Sequence, residues 1–277
     1  MTIREALKKG ANRLEKAGVP DARLDAEYLL AEILRLDRLH LIADGGSVLT
    51  DEQLNAYEQW LARRERREPL QYILGNQPFM GFMLKTSPAA LIPRADTERL
   101  CEAALSVLRP GMRALDLCTG TGALAIALKK LCPQAEVRAS DLSKDALALA
   151  QSNAEALKAD IRFYEGDLFN PFKGERFDLI VSNPPYIPQK DLPALQAEVL
   201  FEPMMALDGG EDGLSFYRRI AQEAPAHLNP VGYLMLEIGS DQGQSVPQLL
   251  AEAGFTDITV QQDYAGLDRV VIGRREG

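Results

Sequence analysis

The chain has 277 residues, 26% charged and 46% hydrophobic, the balance of an ordinary globular protein long enough for one large α/β domain and a smaller companion. Its 31 Lys and Arg against 40 Asp and Glu give a net charge of −9, which weighs against stable nucleic-acid binding, a task that needs a basic face for phosphates. No run reaches the length of a transmembrane helix and the amino terminus lacks a signal-peptide core, so a cytoplasmic protein away from membranes is expected. Cys101, Cys118 and Cys132 are odd in number and lack metal-ligand spacing; reduced thiols and no metal site are expected.

Residues 1–75 read as helices alone. Thr2 with Glu5 makes a capping box ahead of Ile3, Leu7 and Leu14 along one face. Asp21 opens a second amphipathic helix carrying Leu24, Tyr28 and Leu29 through Ile33, and a short helix follows at 37–42. Thr50 with Gln53 makes another box, ahead of Leu54, Tyr57, Trp60 and Leu61. The basic run Arg63-Arg64-Glu65-Arg66-Arg67 closes that helix, where the helix dipole favours cations, and reads as a solvated end.

Residues 76–95 form a linker, and 77–91 alternate enough for a β-hairpin punctuated by Pro78, Gly81 and Pro88. Residues 96–277 form the larger domain. A helix over 96–108 ends at Pro110-Gly111, and strands follow at 113–117, 137–140, 161–164, 177–182, 231–237, 256–261 and 268–273, with helices between most of them. Such alternation predicts an α/β, mostly parallel, doubly wound sheet with ligands at the carboxyl ends of the strands. The last two strands, separated by a short Ala265-Gly266 turn, predict an antiparallel hairpin at one edge of the sheet.

The stretch Asp116-Leu117-Cys118-Thr119-Gly120-Thr121-Gly122-Ala123-Leu124-Ala125 runs from strand through a tight turn into helix, an arrangement that brings backbone close to a bound group. A phosphate loop would carry Lys-Ser/Thr after the second glycine, and Ala123-Leu124 is not that. Ala125 at the third glycine site is compatible with a dinucleotide. Asp141 ends the next strand, about 20 residues on, where a carboxylate binds ribose hydroxyls; both NAD and S-adenosylmethionine carry such a pair. Asp167, after the third strand, is placed to accept from an adenine amino group, with Leu168 against the ring face.

Asn183-Pro184-Pro185-Tyr186 closes the apolar run 177–182. Each proline fixes its own φ and extends the residue before it, so the Asn183 amide oxygen and the Pro184 carbonyl converge on one donor while Tyr186 offers a flat face. That is a pocket for a planar –NH₂, either a carboxamide or an exocyclic base amine. Two acceptors favour the pyramidal, nucleophilic form of such a nitrogen and relieve the positive charge it gains in the transition state. No strong base is required, in keeping with only two histidines, His40 and His227, neither of them in a motif.

Taken together, Asp116 to Gly122, Asp141, Gly166-Asp167 and Asn183-Pro184-Pro185-Tyr186-Ile187-Pro188 resemble a class I S-adenosylmethionine-dependent methyltransferase. More narrowly the chain resembles the HemK/PrmC family of release factor protein-(glutamine-N5) methyltransferases. The similarity extends to Pro69 to Gly75, Leu91 to Glu98, Glu202-Pro203, Ala206 to Leu214 and Leu236 to Gly239. The resemblance implies a seven-stranded Rossmann-like domain, a helical domain over 1–75 that docks the release factor, and methylation of the glutamine in a Gly-Gly-Gln loop. It implies S-adenosylmethionine contacts from Cys118, Thr119, Gly120, Thr121, Gly122, Asp141, Asp167, Leu168 and Asn183. Substrate contacts fall to Asn183, Pro184, Pro185 and Tyr186, with catalysis by Asn183, Pro184 and Tyr186. Three positions depart from the family: Cys118 for a usual glycine, Leu168 for a frequent aromatic residue, and Ala95 for a proline. Glu198, Glu202 and Arg94 are candidate substrate or cofactor-lid residues, or solvated side chains. A glutamine methyltransferase of a ribosomal protein, or an exocyclic-amine methyltransferase of nucleic acid, would use the same core motifs.

Overall fold

Thr2 and Thr50 each open a helix through reciprocal caps. The Thr2 hydroxyl accepts from the Glu5 N–H at 3.3 Å while Glu5 accepts from the Thr2 N–H at 2.8 Å, and Thr50 with Gln53 repeats the pattern at 3.2 and 2.9 Å. The computed structural model describes all residues from Met1 to Gly277, and the chain divides into two units. One comprises Met1–Asn76 together with Gln196–Phe201, the other Gln77–Leu195 with Glu202–Gly277. The first unit contains α1 (Ile3–Lys16), α2 (Ala22–Leu34), α3 (Arg38–Ala43), α4 (Asp51–Glu65) and α5 (Leu70–Leu74).

Leu14, Leu29, Leu30, Leu41, Tyr57 and Leu61 are fully buried between these helices. Gly10 on α1 is required there, since a methyl at that position would overlap the Tyr57 hydroxyl, which donates to the Ala26 carbonyl at 3.2 Å. The face expected for α2 is only partly right. Tyr28 is 40% exposed and lies under the Arg38 guanidinium, because α2 is the central helix and buries Ala26, Leu29 and Leu30 against its neighbours.

The basic run at the end of α4 is not a solvated end. Arg64 is buried, donating to Asp25 at 2.7 Å and to Glu198 at 2.8 Å. Arg67 donates to Glu198 from Nε at 2.7 Å and from Nη2 at 2.6 Å, and Arg63 pairs with Glu68. Only Arg66 of the four arginines is exposed. Burial alone would raise the Glu198 carboxyl, but the Arg67 and Arg64 hydrogen bonds prevail and hold it at about 2. Three of the four charges that would make a phosphate-binding patch are thus spent on acids of the same unit.

In the second unit, β1 (Asn76–Phe79) and β2 (Phe82–Lys85) form the two-stranded hairpin. The helix α6 (Ala95–Val107) follows, then β3 (Arg113–Leu117), α7 (Ala123–Leu131), β4 (Glu136–Asp141), α8 (Lys144–Leu157), β5 (Arg162–Glu165) and β6 (Phe177–Ser182). After these come α9 (Ser215–His227), β7 (Leu228–Glu237), α10 (Ser245–Glu252), β8 (Phe255–Gln262) and β9 (Asp268–Arg275). The sheet order is β5-β4-β3-β6-β7-β9-β8, with β9 antiparallel to both its neighbours. This is the class I methyltransferase architecture. Alternation along the buried strands feeds two cores: Leu179 and Val181 of β6 pack on one face and Ile180 on the other, where Phe177 joins it across an irregularity in the β6–β7 register. No helix of the chain is long and apolar enough to cross a membrane.

Candidate active site

The parallel registers align the ends of four strands. Leu117 of β3 lies opposite Ser140 of β4 and Ser182 of β6, while Asp141 pairs with Glu165 of β5. The loops leaving these ends therefore converge, and a cleft of about 980 Å³ of space between atoms, partly open to solvent, runs across them. Cys118, Thr119, Gly120, Thr121, Asp141, Asp167, Leu168, Asn183 and Pro185 all border it. Gly122, Pro184 and Tyr186 do not.

The glycine turn is anchored from beneath by Asp116. Its buried carboxylate accepts from the Thr119 hydroxyl at 2.5 Å and from the Ala125 N–H at 3.2 Å, tying strand end, turn and α7 together. Burial pushes this carboxyl up to about 7, against the pull of those two donors. Gly122 caps α7 at φ +82°, and a methyl on it would meet Ala150 of α8 and Ile126 at 3.1 Å. Its part is close packing of the turn, which explains why it lies behind the cleft. Cys118 adopts φ +58°, a conformation that glycine takes without strain, and desolvation drives its thiol pKa up.

Asp141 sits where the backbone can aim it. Oδ2 accepts from the Gly120 N–H and Oδ1 from the Ser143 N–H, both at 2.9 Å. Ser143, not Asp141, caps α8, by accepting from the Ala146 N–H. Burial raises the Asp141 carboxyl, and the backbone donors Ser143 and Gly120 oppose it. Asp167 borders the cleft but also accepts from Arg219 at 2.6 Å, a partner 52 residues away that no local pattern announces. Leu168 is buried at φ +47°.

On the opposite wall, the Asn183 amide donates to the Thr97 hydroxyl at 3.1 Å. With its –NH₂ so engaged, the carbonyl end of the carboxamide is the one left for a ligand. Pro184 is buried. The Tyr186 carbonyl accepts from Gln242 at 3.2 Å, and its ring packs on the core beneath α9, with burial pushing the phenol up to about 12. His40 pairs with Asp37 on α3, and His227 stacks on Phe169 at the end of α9, so neither histidine enters the cleft.

Several residues here carried no firm sequence assignment. Ile92, Arg94 and Phe216 border the cleft. Glu202, buried and raised by that burial, accepts from the Ile92 N–H at 2.9 Å and pairs with Arg94, so it is neither a solvated acid nor free to orient a substrate. Asn153 on α8 donates to the carbonyls of Thr121 at 3.0 Å and Lys85 at 3.1 Å, bracing the glycine turn against the hairpin. Glu237 is a buried acid ending an apolar strand, and that placement was itself a legible signal.

Comparison with known proteins agrees with this geometry. Residues 5–75 match the family described as the PrmC N-terminal domain, and residues 97–211 match the methyltransferase small domain. Over 274 residues the chain is 48% identical to the release factor glutamine methyltransferase of Geobacter sulfurreducens, covering 99% of this chain and 96% of that one. The protein of the same name from Vibrio cholerae is 42% identical over 278 residues, with 99% and 97% covered. Among solved structures, a methyltransferase from Pyrococcus furiosus superposes with a TM-score of 0.56 at 20% identity, covering 70% of this chain and 89% of that one. The E. cuniculi Mtq2–Trm112 complex superposes with a TM-score of 0.51 at 24% identity, covering 68% and 99%; both share the fold. The chain thus belongs to the release factor glutamine methyltransferase family, whose members use S-adenosylmethionine as methyl donor.

Proposed function

We propose that this protein transfers a methyl group from S-adenosylmethionine to the side-chain amide N5 of the glutamine in the Gly-Gly-Gln loop of class 1 peptide chain release factors, in the cytoplasm. The observation that carries the reading is the cleft wall itself: Asn183, with its –NH₂ held by Thr97, faces the same space as Asp141 and the Cys118–Thr121 turn. In this reading the helical domain, residues 1–75, docks the release factor, and residues 96–277 carry the chemistry.

The donor set suits S-adenosylmethionine. The Asp141 oxygens each keep a lone pair beyond their backbone donor, enough for two ribose hydroxyls. Asp167 meets the adenine amine, Leu168 covers the ring, and the Thr119–Thr121 turn bordering the cleft receives the amino-acid end, with Gly122 keeping that turn tight. When bound, the sulfonium supplies an electrophilic methyl group; the N–C bond forms as the C–S pair returns to sulfur and one N–H proton is lost.

The chain's own part is alignment and electrostatics. Asn183 Oδ1 accepts an amide hydrogen of the acceptor and Pro185 narrows the cleft, while Pro184 and Tyr186, set behind that wall, brace the loop that carries Asn183. Holding the two reactants in a near-attack arrangement is worth roughly 7–11 kcal/mol. Removal of the Asn183 acceptor in Asn183→Ala should lower kcat by about 10²–10³-fold with little change in S-adenosylmethionine affinity.

The test is incubation with labelled S-adenosylmethionine and, separately, a class 1 release factor, its Gly-Gly-Gln→Gly-Gly-Ala variant, ribosomal protein and duplex DNA. Label on the release factor that vanishes with the glutamine supports the proposal. Label on ribosomal protein or DNA instead would overturn the assigned acceptor.

A further inference from the structure

We propose that Glu237, acting through Thr97, determines which end of the Asn183 carboxamide faces the acceptor, and is thereby a positioning residue for methyl transfer; this rests on the amide-methylating reading above. Three elements bring the groups together. Parallel β6 and β7 place Ser182 opposite Leu236, so the next residues, Asn183 in the loop after β6 and Glu237 at the last position of β7, lie side by side. Thr97, in the first turn of α6, is 5% exposed and accepts from the Asn183 –NH₂ at 3.1 Å. Glu237 is 1% exposed, and its Oε2 is a buried oxygen with no hydrogen-bond partner.

A threonine hydroxyl has a single proton, and an ionised carboxylate can only accept. With Glu237 ionised, the Thr97 proton turns to the carboxylate and its lone pair receives the Asn183 N–H. The Asn183 oxygen must then point to the acceptor, as an incoming –NH₂ requires. With Glu237 protonated the chain can reverse: the carboxyl donates to Thr97, Thr97 donates to Asn183, and the amide turns its own –NH₂ toward the substrate's. A buried acid at the end of an apolar strand costs stability, and the polarity it imposes on this chain gives a physical reason for its presence.

The other groups facing Glu237 come from every side. Arg269 of β9 is already paired with Asp263 at 3.1 Å and lies 3.6 Å from Asp96 of α6. Tyr186 stands on the loop after β6, and the Tyr217 hydroxyl of α9 donates to the Glu237 backbone carbonyl at 2.7 Å. Burial pushes the Glu237 carboxyl up to about 7, with Thr97, Arg269 and the Asn183 amide itself pulling it down and Asp96 pushing it further, so Glu237 acts on Asn183 directly as well as through Thr97. Turnover should therefore fall as pH drops through that region, while binding of the methyl donor stays flat.

The experiment compares full-length wild type with Glu237→Gln, Thr97→Val and Thr97→Ser, on whichever acceptor the wild-type protein methylates. It follows kcat, KM and pH profile, with S-adenosylmethionine affinity by calorimetry. We expect Glu237→Gln and Thr97→Val each to lose about 10²-fold in kcat and the acid limb of the profile, with donor affinity within about threefold. Thr97→Ser should retain both, and the double variant should be no worse than the poorer single one. Unchanged kcat and an intact acid limb in Thr97→Val would overturn the proposal, as would loss of donor affinity in step with kcat. Should Glu237→Gln fail to fold, the Thr97 pair decides alone. A wild type active only on another acceptor would refute the release-factor assignment without touching this comparison.

Discussion

Arg64→Leu offers the sharpest test of how the helical unit is held together. Its guanidinium is 5% exposed and sits 2.7 Å from Asp25, itself 9% exposed, with Glu198 at 2.8 Å on the other side. Truncation leaves Asp25 buried without its cation, whereas Glu198 keeps Arg67. Breaking a buried pair from one side costs about 3–5 kcal/mol, because the remaining charge is uncompensated. In a domain of this size about 1 kcal/mol moves Tm by 4–8 °C, so the transition of this unit should fall by at least about 12 °C. Trp60 on α4 is the only tryptophan of the chain, so its fluorescence reports this unit alone. Asp25→Leu added to Arg64→Leu replaces both charges with hydrocarbon and should recover more than half the loss.

The pH dependence has a definite sign. Burial already raises the Asp25 carboxyl in the wild type, with Arg64 opposing, and the variant removes the opposition. Between the unfolded value of about 3.9 and the raised folded value, the folded state holds the extra proton, so stability falls as pH rises. The deficit of Arg64→Leu should therefore be fully present at neutral pH and shrink on acidification. A cost below about 1 kcal/mol, or a double variant no better than the single one, would refute the buried-pair argument.

Two further outcomes follow from the cleft. Asp141→Asn puts a donor where the Gly120 and Ser143 N–H groups both need an acceptor; calorimetry should show S-adenosylmethionine affinity down by at least about tenfold, a loss of about 1.4 kcal/mol. Gly122→Ala combines a left-handed φ with contacts at 3.1 Å to Ala150 and Ile126. It should destabilise the larger unit by about 2–4 kcal/mol in chemical denaturation, through backbone strain and overpacking together.

Much of this molecule was legible from short-range chemistry. The capping boxes at Thr2 and Thr50, the glycine turn after β3, the acid ending β4 and the prolines after β6 each announce themselves within a few residues, because caps, turns and strand ends are set by local hydrogen bonding and φ. The 2.0 and 3.6 periodicities then place strands and helices, and their alternation implies the wound sheet. What local pattern could not give is the identity of partners distant in sequence. Arg64 reads as a solvated helix end until folding brings Asp25 and Glu198, 39 and 134 residues away, against it. Tyr28 reads as core until α2 proves to be the central helix. Asp167 meets Arg219, Glu202 meets Arg94, and Asn183 meets Thr97 across 86 residues, only once strand order and register are established. Short-range pattern alone was enough for the elements, the sheet and the identity of the residues that gather at the strand ends. The tertiary structure alone decided which charges are paired and which amide hydrogen is already spent, since these depend on desolvation and on distances that chain separation does not encode.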